Sequence, residues 1–197
     1  MLRPPRPAAL AAALLVALAA CAAPPPRPEF PQITFQNLPP IRLDVREVTV
    51  EQAYRPPAKA PNVDHRFPVP PADAAMRWAR DRLVAAGATR RAHYVVRDAS
   101  VVETPLKTTG GLKGMFTTEP SERYDARVVV ELRIIADDGR VAGSATAEAV
   151  RSRSVPEDIT LNEREKVWYE MTEDIMRELN GQLEQTIKTV FSPYVIL

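Results

Sequence analysis

The sequence predicts an α+β two-layer sandwich, about four strands of mixed or antiparallel sheet with two helices on one face, and three observations predict it. From 124 to 134 the residues Tyr124, Ala126, Val128, Val130, Leu132 and Ile134 alternate with Arg123, Asp125, Arg127, Glu131 and Arg133, the period of a strand with one buried face. Asp137-Asp138-Gly139-Arg140 then makes a hairpin turn. It leads into a second strand, 141–153, whose face of Val141, Gly143, Ala145, Ala147 and Ala149 is small enough for a helix to pack close. Two further stretches carry apolar residues at helical spacing, Ala75, Met76, Ala79, Leu83 and Ala86 in one, and Trp168, Met171, Ile175, Leu179, Leu183, Ile187 and Val190 in the other. With strands at 41–51 and 92–104, the order is β-α-β-β-β-α. The last three strands form an antiparallel meander, and the first two, joined through a helix, are suited to parallel pairing by a right-handed crossover.

In chain order, residues 1–20 are an export signal. Arg3 and Arg6 precede an unbroken run of Ala, Leu and Val from 8 to 20. That run is shorter than the roughly 20 residues a bilayer span needs. Leu18-Ala19-Ala20-Cys21 closes it with the only cysteine of the chain, and resembles the lipobox of bacterial lipoproteins. The alternative is cleavage at Ala17-Leu18-Ala19. The resemblance implies that Cys21 becomes the acylated N-terminus, carrying palmitate-type chains that anchor it in a membrane. One acyl chain alone holds marginally and two or three hold durably. Ala22 at the following position implies sorting to the outer membrane, on its periplasmic face.

Residues 21–40 form a lipidated tether with Pro24, Pro25, Pro26, Pro28, Pro31, Pro39 and Pro40. Polyproline II at about 3.1 Å per residue makes this a semi-rigid spacer of about 50 Å; the alternative is a disordered linker with no partner. Phe30, Ile33, Phe35 and Leu38 suggest instead that part of it docks as a short extended strand. The folded unit is then 41–197. Its first strand, 41–51, alternates through Ile41, Leu43 and Val45 and changes phase at Val48 and Val50, which a bulge near Arg46-Glu47 accommodates. The 54–70 connection is long and rich in proline, the kind often retained for function, and contains Asp64 and His65. A helix starts at Pro71 and stops at Gly87, with Arg77, Arg80 and Arg82 on its solvated side. In 92–104, Tyr94, Val96 and Val102 share a face. Thr160 and Glu163 have capping-box spacing ahead of the last helix, Asn180-Gly181 interrupts it with a kink or leaves its end loosely held, and Tyr194-Val-Ile-Leu197 is a docked tail.

Composition narrows the chemistry. The chain carries 26 Lys+Arg and 25 Asp+Glu; removing Arg3 and Arg6 leaves 24 against 25, a mature charge near −1. No basic field draws nucleic acid to such a domain. Once Cys21 is acylated no thiol remains, so the core stands without disulfides. Only His65 and His93 are available as imidazoles, too few and too far apart for a zinc site. Gly143-Ser144-Ala145 lacks the second glycine of a nucleophile elbow, and Gly110-Gly-Leu-Lys-Gly114 lacks phosphate-loop spacing. No catalytic set, cofactor or metal is expected. The one candidate polar site is Asp64 with His65 as general base, and His93 reads as a cross-strand partner. In the 105–121 loop, Leu112, Met115 and Phe116 beside Lys107 and Lys113 are candidates for contact with a partner or membrane; they fit equally a loop folded back on the sheet edge.

The element order, with the lipobox, resembles at fold level small envelope lipoproteins such as the lipopolysaccharide-assembly lipoprotein and the auxiliary lipoproteins of lipid-transport ABC systems. The function expected is that of a membrane-anchored, non-enzymatic accessory or assembly subunit of a cell-envelope complex, with an envelope protein as partner. The alternative is a carrier or binder of a lipid-like small molecule, held between sheet and helices where Gly143, Ala145 and Ala147 leave room. Third is an enzyme using His65 and Asp64.

Overall fold

The computed structural model describes residues 29–107 and 119–196. In order these are β1 (Ile41–Leu43), β2 (Glu47–Gln52), α1 (Pro71–Arg82), β3 (Leu83–Ala85), β4 (Arg91–Pro105), β5 (Pro120–Ile135), β6 (Val141–Pro156) and α2 (Leu161–Val190), with short 3₁₀ turns at Asp64–Arg66 and Ser192–Tyr194. The main sheet runs β2-β4-β5-β6. β2 lies parallel to β4, and β4, β5 and β6 are antiparallel neighbours. Both helices bury their apolar sides on one face of this sheet, so the fold is the α+β sandwich that the periodicity predicts.

The core explains the layering. Tyr94, Val96, Val128, Val130, Leu132 and Ile134 of the sheet are buried against Trp78 of α1 and Trp168, Met171, Ile175 and Leu179 of α2. The small face of β6 admits α2 and the segment after it: a Cβ on Gly143 would stand 3.3 Å from the Phe191 ring. The opposite sheet face is a ladder of ion pairs. Arg97 meets Glu131, and Arg127 meets both Asp98 and Glu148. His93 lies between Glu51 (2.8 Å) and Arg133 (3.3 Å), a cross-strand partner as expected.

Several boundaries differ from the sequence reading, each for a local reason. The 41–51 strand is two strands in two sheets. β1 pairs in parallel with β3, and the chain turns at 44–46 before β2 joins β4. Helix α1 ends at Arg82 and not at Gly87, because Leu83–Ala85 leaves the helix to pair with β1. Gly87 serves a close crossing instead. Its amide donates to the Val45 carbonyl at 2.9 Å, and a Cβ there would overlap the Asp44 carboxylate and lie 2.6 Å from the Asp44 carbonyl carbon. Arg82, expected on the wet side, is only 3% exposed. In β4 a bulge between Val96 and Asp98 moves the buried face to Ala99 and Val101, leaving Val102 off it. Helix α2 runs uninterrupted through Asn180 and Gly181, and Val190, at the end of its stripe, is 46% exposed. The capping box is formed, Glu163 N–H donating to Thr160 Oγ1 at 3.3 Å and Thr160 N–H to Glu163 Oε2 at 2.9 Å. The tail docks: Val195 bridges to Leu43, and Ile196 N–H donates to the Arg42 carbonyl at 2.8 Å.

Residues 29–40 are a strap laid on the domain, with no strand among them. Phe35 is 7% exposed and its amide donates to Asp81 Oδ2 at 2.8 Å. The Arg77 guanidinium donates to Gln32 at 2.6 Å. The Phe30 ring packs on Tyr169 of α2, centroids 5.1 Å apart. The docking of Phe30, Ile33, Phe35 and Leu38 follows the apolar content of this stretch.

Candidate functional site

Two regions of the surface carry more than packing. The first is the 54–70 connection. Its residues do not wander: Val63 N–H donates to the Val101 carbonyl at 2.9 Å, Glu103 N–H to the Pro61 carbonyl at 2.9 Å, and Asn62 bridges to Val102. The segment thus borrows the edge of β4 that β2 leaves free beyond Gln52. The 3₁₀ turn Asp64–Arg66 follows, and Phe67 then stacks on Trp168 at 5.2 Å while the Arg66 guanidinium lies 5.4 Å from the same ring. Val69 closes the stretch, its carbonyl accepting from Thr172 Oγ1 at 3.0 Å.

Within this turn Asp64 and His65 point apart. Asp64 is 2% exposed, whereas His65 is exposed, and among the described residues no hydrogen bond joins them. The turn brings Asp64 to Tyr54 instead. Burial first, and then the neighbouring Asp64 carboxylate, push the Tyr54 phenol well above its ordinary pKa. His65 stands between two cavities. One of about 390 Å³ is lined by Lys59, Arg66 and Glu103 among others. The other, of about 240 Å³, is lined by Gln52, Asp64 and Asp73. No cluster of three or more His, Cys, Asp or Glu among the described residues has the spacing to hold a metal ion.

The second region is a groove of about 650 Å³ where the strap meets α2 and the C-terminal tail. Pro39, Pro40, Ile41, Ile187, Val195 and Ile196 line it, with the cations Arg42 and Lys188 beside the Arg82–Glu184 pair. Its wall is fixed by Arg82, which donates to the Pro39 carbonyl (3.0 Å), Asn180 Oδ1 (2.7 Å) and Glu184 Oε1 (2.7 Å). The Trp78 indole N–H donates to the same Asn180 oxygen at 2.8 Å. The hydrogen bond from Arg82 holds the Glu184 carboxyl below the ordinary glutamate range, against its partial burial. One buried guanidinium therefore joins strap, α1 and α2. Sequence reasoning missed this node, although its signal exists: Trp78 and Arg82 are spaced i, i+4, and so are Asn180 and Glu184, which sets two polar pairs face to face where the helices cross.

Cys21, and the loop residues Leu112, Lys113, Met115 and Phe116, lie outside the described residues. Of the expected site residues the structure therefore places Asp64 and His65, on one turn and facing different surroundings.

The sequence matches no family model and no curated protein. Among solved structures it is similar to a minor lipoprotein from Acinetobacter baumannii, with 15% identity, a TM-score of 0.38, and 74% of this chain and 92% of that one covered. It is similar also to the rare lipoprotein B of Shewanella oneidensis, with 12% identity, a TM-score of 0.38, and coverage of 73% and 95%. Neither likeness assigns a role to a residue.

Proposed function

We propose that this chain is a membrane-anchored lipoprotein of the bacterial envelope, on the periplasmic face of the outer membrane, acting as an accessory or assembly subunit of an envelope complex. The observation that carries this reading is the joining of an acylation motif to a clamped strap. Leu18-Ala19-Ala20-Cys21 supplies the anchor, and residues 29–40 bind to the domain through Phe30, Phe35 and the Arg82–Pro39 bond. A domain held this way has a defined stance on the membrane, which a subunit that docks to a partner needs and a freely tethered enzyme does not. The experiment is cross-linking and co-purification of the acylated protein from membranes, with Cys21→Ser as control. A stoichiometric envelope protein, lost in the control, is expected. Retention of Cys21→Ser on membranes overturns the anchor, and the absence of any partner overturns the accessory role.

A second reading, binding of a lipid-like small molecule, is favoured by the 650 Å³ groove and not by the space first expected. The volume lies within the range of small-molecule sites, and its walls are mostly apolar with two cations at hand. The face of Gly143, Ala145 and Ala147 is already filled by helix packing. Native mass spectrometry of the protein from membranes tests this: a bound lipid displaced by Ile187→Asp supports it, and no bound lipid in the parent protein removes it.

A further inference from the structure

Buried polar atoms without partners are rare in folded proteins, and each asks for an explanation. Among the described residues, Tyr54 Oη, Asp64 Oδ1 and Trp168 Nε1 are such atoms, and all three surround the 54–70 connection. Asp64 is the most demanding of them. Its side chain is almost wholly removed from water, its Oδ1 has no hydrogen-bond partner although the Tyr54 hydroxyl lies beside the carboxylate, and a buried carboxylate oxygen without a donor is costly to desolvate.

We propose that the cavity beside Asp64 is a recognition site for an organic cation, receiving a primary ammonium or guanidinium group. Three features of the cavity select that chemistry. Asp64 and Asp73 both line it, while no lysine or arginine does; Lys59, Arg66, Arg77 and Arg80 line neighbouring cavities. Gln52 and His65 add neutral hydrogen-bonding groups. Pro56, Pro70, Ala72 and Ala99 complete the wall, residues that lose almost no side-chain entropy on contact. At about 240 Å³ the space admits one head group and not a whole drug-sized ligand. A ligand with N–H donors supplies Asp64 with the hydrogen bond it lacks and brings positive charge to a site bearing two carboxylates.

The group can come from a lysine or arginine of a protein partner or from a free amine, and in the first case the inference rests on the accessory role proposed above. The test uses the mature chain from residue 21 carrying Cys21→Ser, titrated with butylamine and with butylguanidinium while amide shifts are followed by NMR. Saturable shifts confined to residues around Asp64, His65, Asp73 and Ala99 are expected, weakened at least tenfold in Asp64→Asn and in Asp73→Asn. If Asp64→Asn does not fold, Asp73→Asn, at an exposed position of the first turn of α1, carries the same readout. Unsaturable, dispersed shifts, or equal binding by the variants, overturn the proposal and leave water or the Tyr54 hydroxyl as the donor to Asp64. Co-purification of the acylated Asp64→Asn protein then separates the sources. Loss of an envelope partner identifies a side chain of that partner. A retained partner together with probe binding identifies a free amine. Probe binding with no partner in the parent protein sinks the accessory role and leaves the site.

Discussion

Gly181 stands exposed in the interior of α2, with nothing within 4 Å of where a Cβ would be. Glycine at such a position costs about 1 kcal/mol against alanine, and no contact here offsets it. Gly181→Ala is therefore expected to raise stability by about 0.5–1 kcal/mol, read from urea unfolding. Gly87 behaves oppositely. It admits the Asp44–Val45 backbone so closely that any Cβ collides with main chain, and Gly87→Ala is expected to lower stability by about 1–3 kcal/mol. Equal effects of the two substitutions would contradict both accounts. In the sequence the two glycines look alike, each read as a break in a helical stripe. What separates them is a crossing with residues 44–45, more than forty positions earlier, which no local window contains. Asp64 and His65 show the same limit at the candidate site: adjacent residues on a tight turn invite pairing on paper, and the turn sends one into the core and the other to solvent.

At the scale of elements, the strap adds a third piece to the two-helix layer. Burying a phenylalanine contributes about 1.5–3 kcal/mol, and Phe35 is nearly fully buried. Removing residues 1–28 is expected to leave stability unchanged, whereas removing 1–40 lowers it by about 2–3 kcal/mol; equal denaturation midpoints would mean that the strap does not hold. The Arg82–Glu184 pair beneath it predicts a pH dependence. Glu184 has its folded pKa depressed by the Arg82 hydrogen bond, so it binds its proton more weakly folded than unfolded. Its stabilisation is present above the unfolded carboxylate value, about 4.3, and disappears as pH falls through the lower folded value. Glu184→Gln is expected to be the less stable protein at pH 7 and to converge on the parent as pH falls below the carboxylate range, by thermal unfolding at each pH. A constant gap between them would remove the linkage. The meander, the hairpin and both helices are legible in the sequence because each repeats one period for ten residues or more. The split of 41–51 is not, since three-residue strands carry no period and their partners, Leu83–Ala85 and Val195, lie far along the chain. The groove is hidden for the same reason, being assembled from four separate segments.

For the whole molecule, the proposed anchoring at Cys21 makes the strap the link between lipid and domain. Cys21 and Phe30 are nine residues apart, a reach of at most about 32 Å, and Phe30 is fixed against Tyr169 in the N-terminal half of α2. The groove residues Glu184 and Lys188 lie 15 and 19 positions further along that helix, roughly 22–28 Å at 1.5 Å per residue. Phe30 thus holds the strap near one end of α2 while the groove lies toward the other. On the proposed acylation the single native cysteine, Cys21, is consumed, so one introduced cysteine gives one label. With the acylated protein in vesicles containing a lipid-headgroup acceptor, energy transfer is expected to be stronger from a donor at Lys166→Cys than from one at Lys188→Cys. Equal transfer would mean that the domain tumbles on its tether. Stronger transfer from position 188 would turn the groove toward the bilayer, favouring a ligand drawn from the membrane over a partner met above it. Inserting a flexible segment between Pro28 and Glu29 is expected to weaken both signals and narrow their difference, because the clamp then fixes the strap to the domain while the domain no longer has a fixed distance to the lipid.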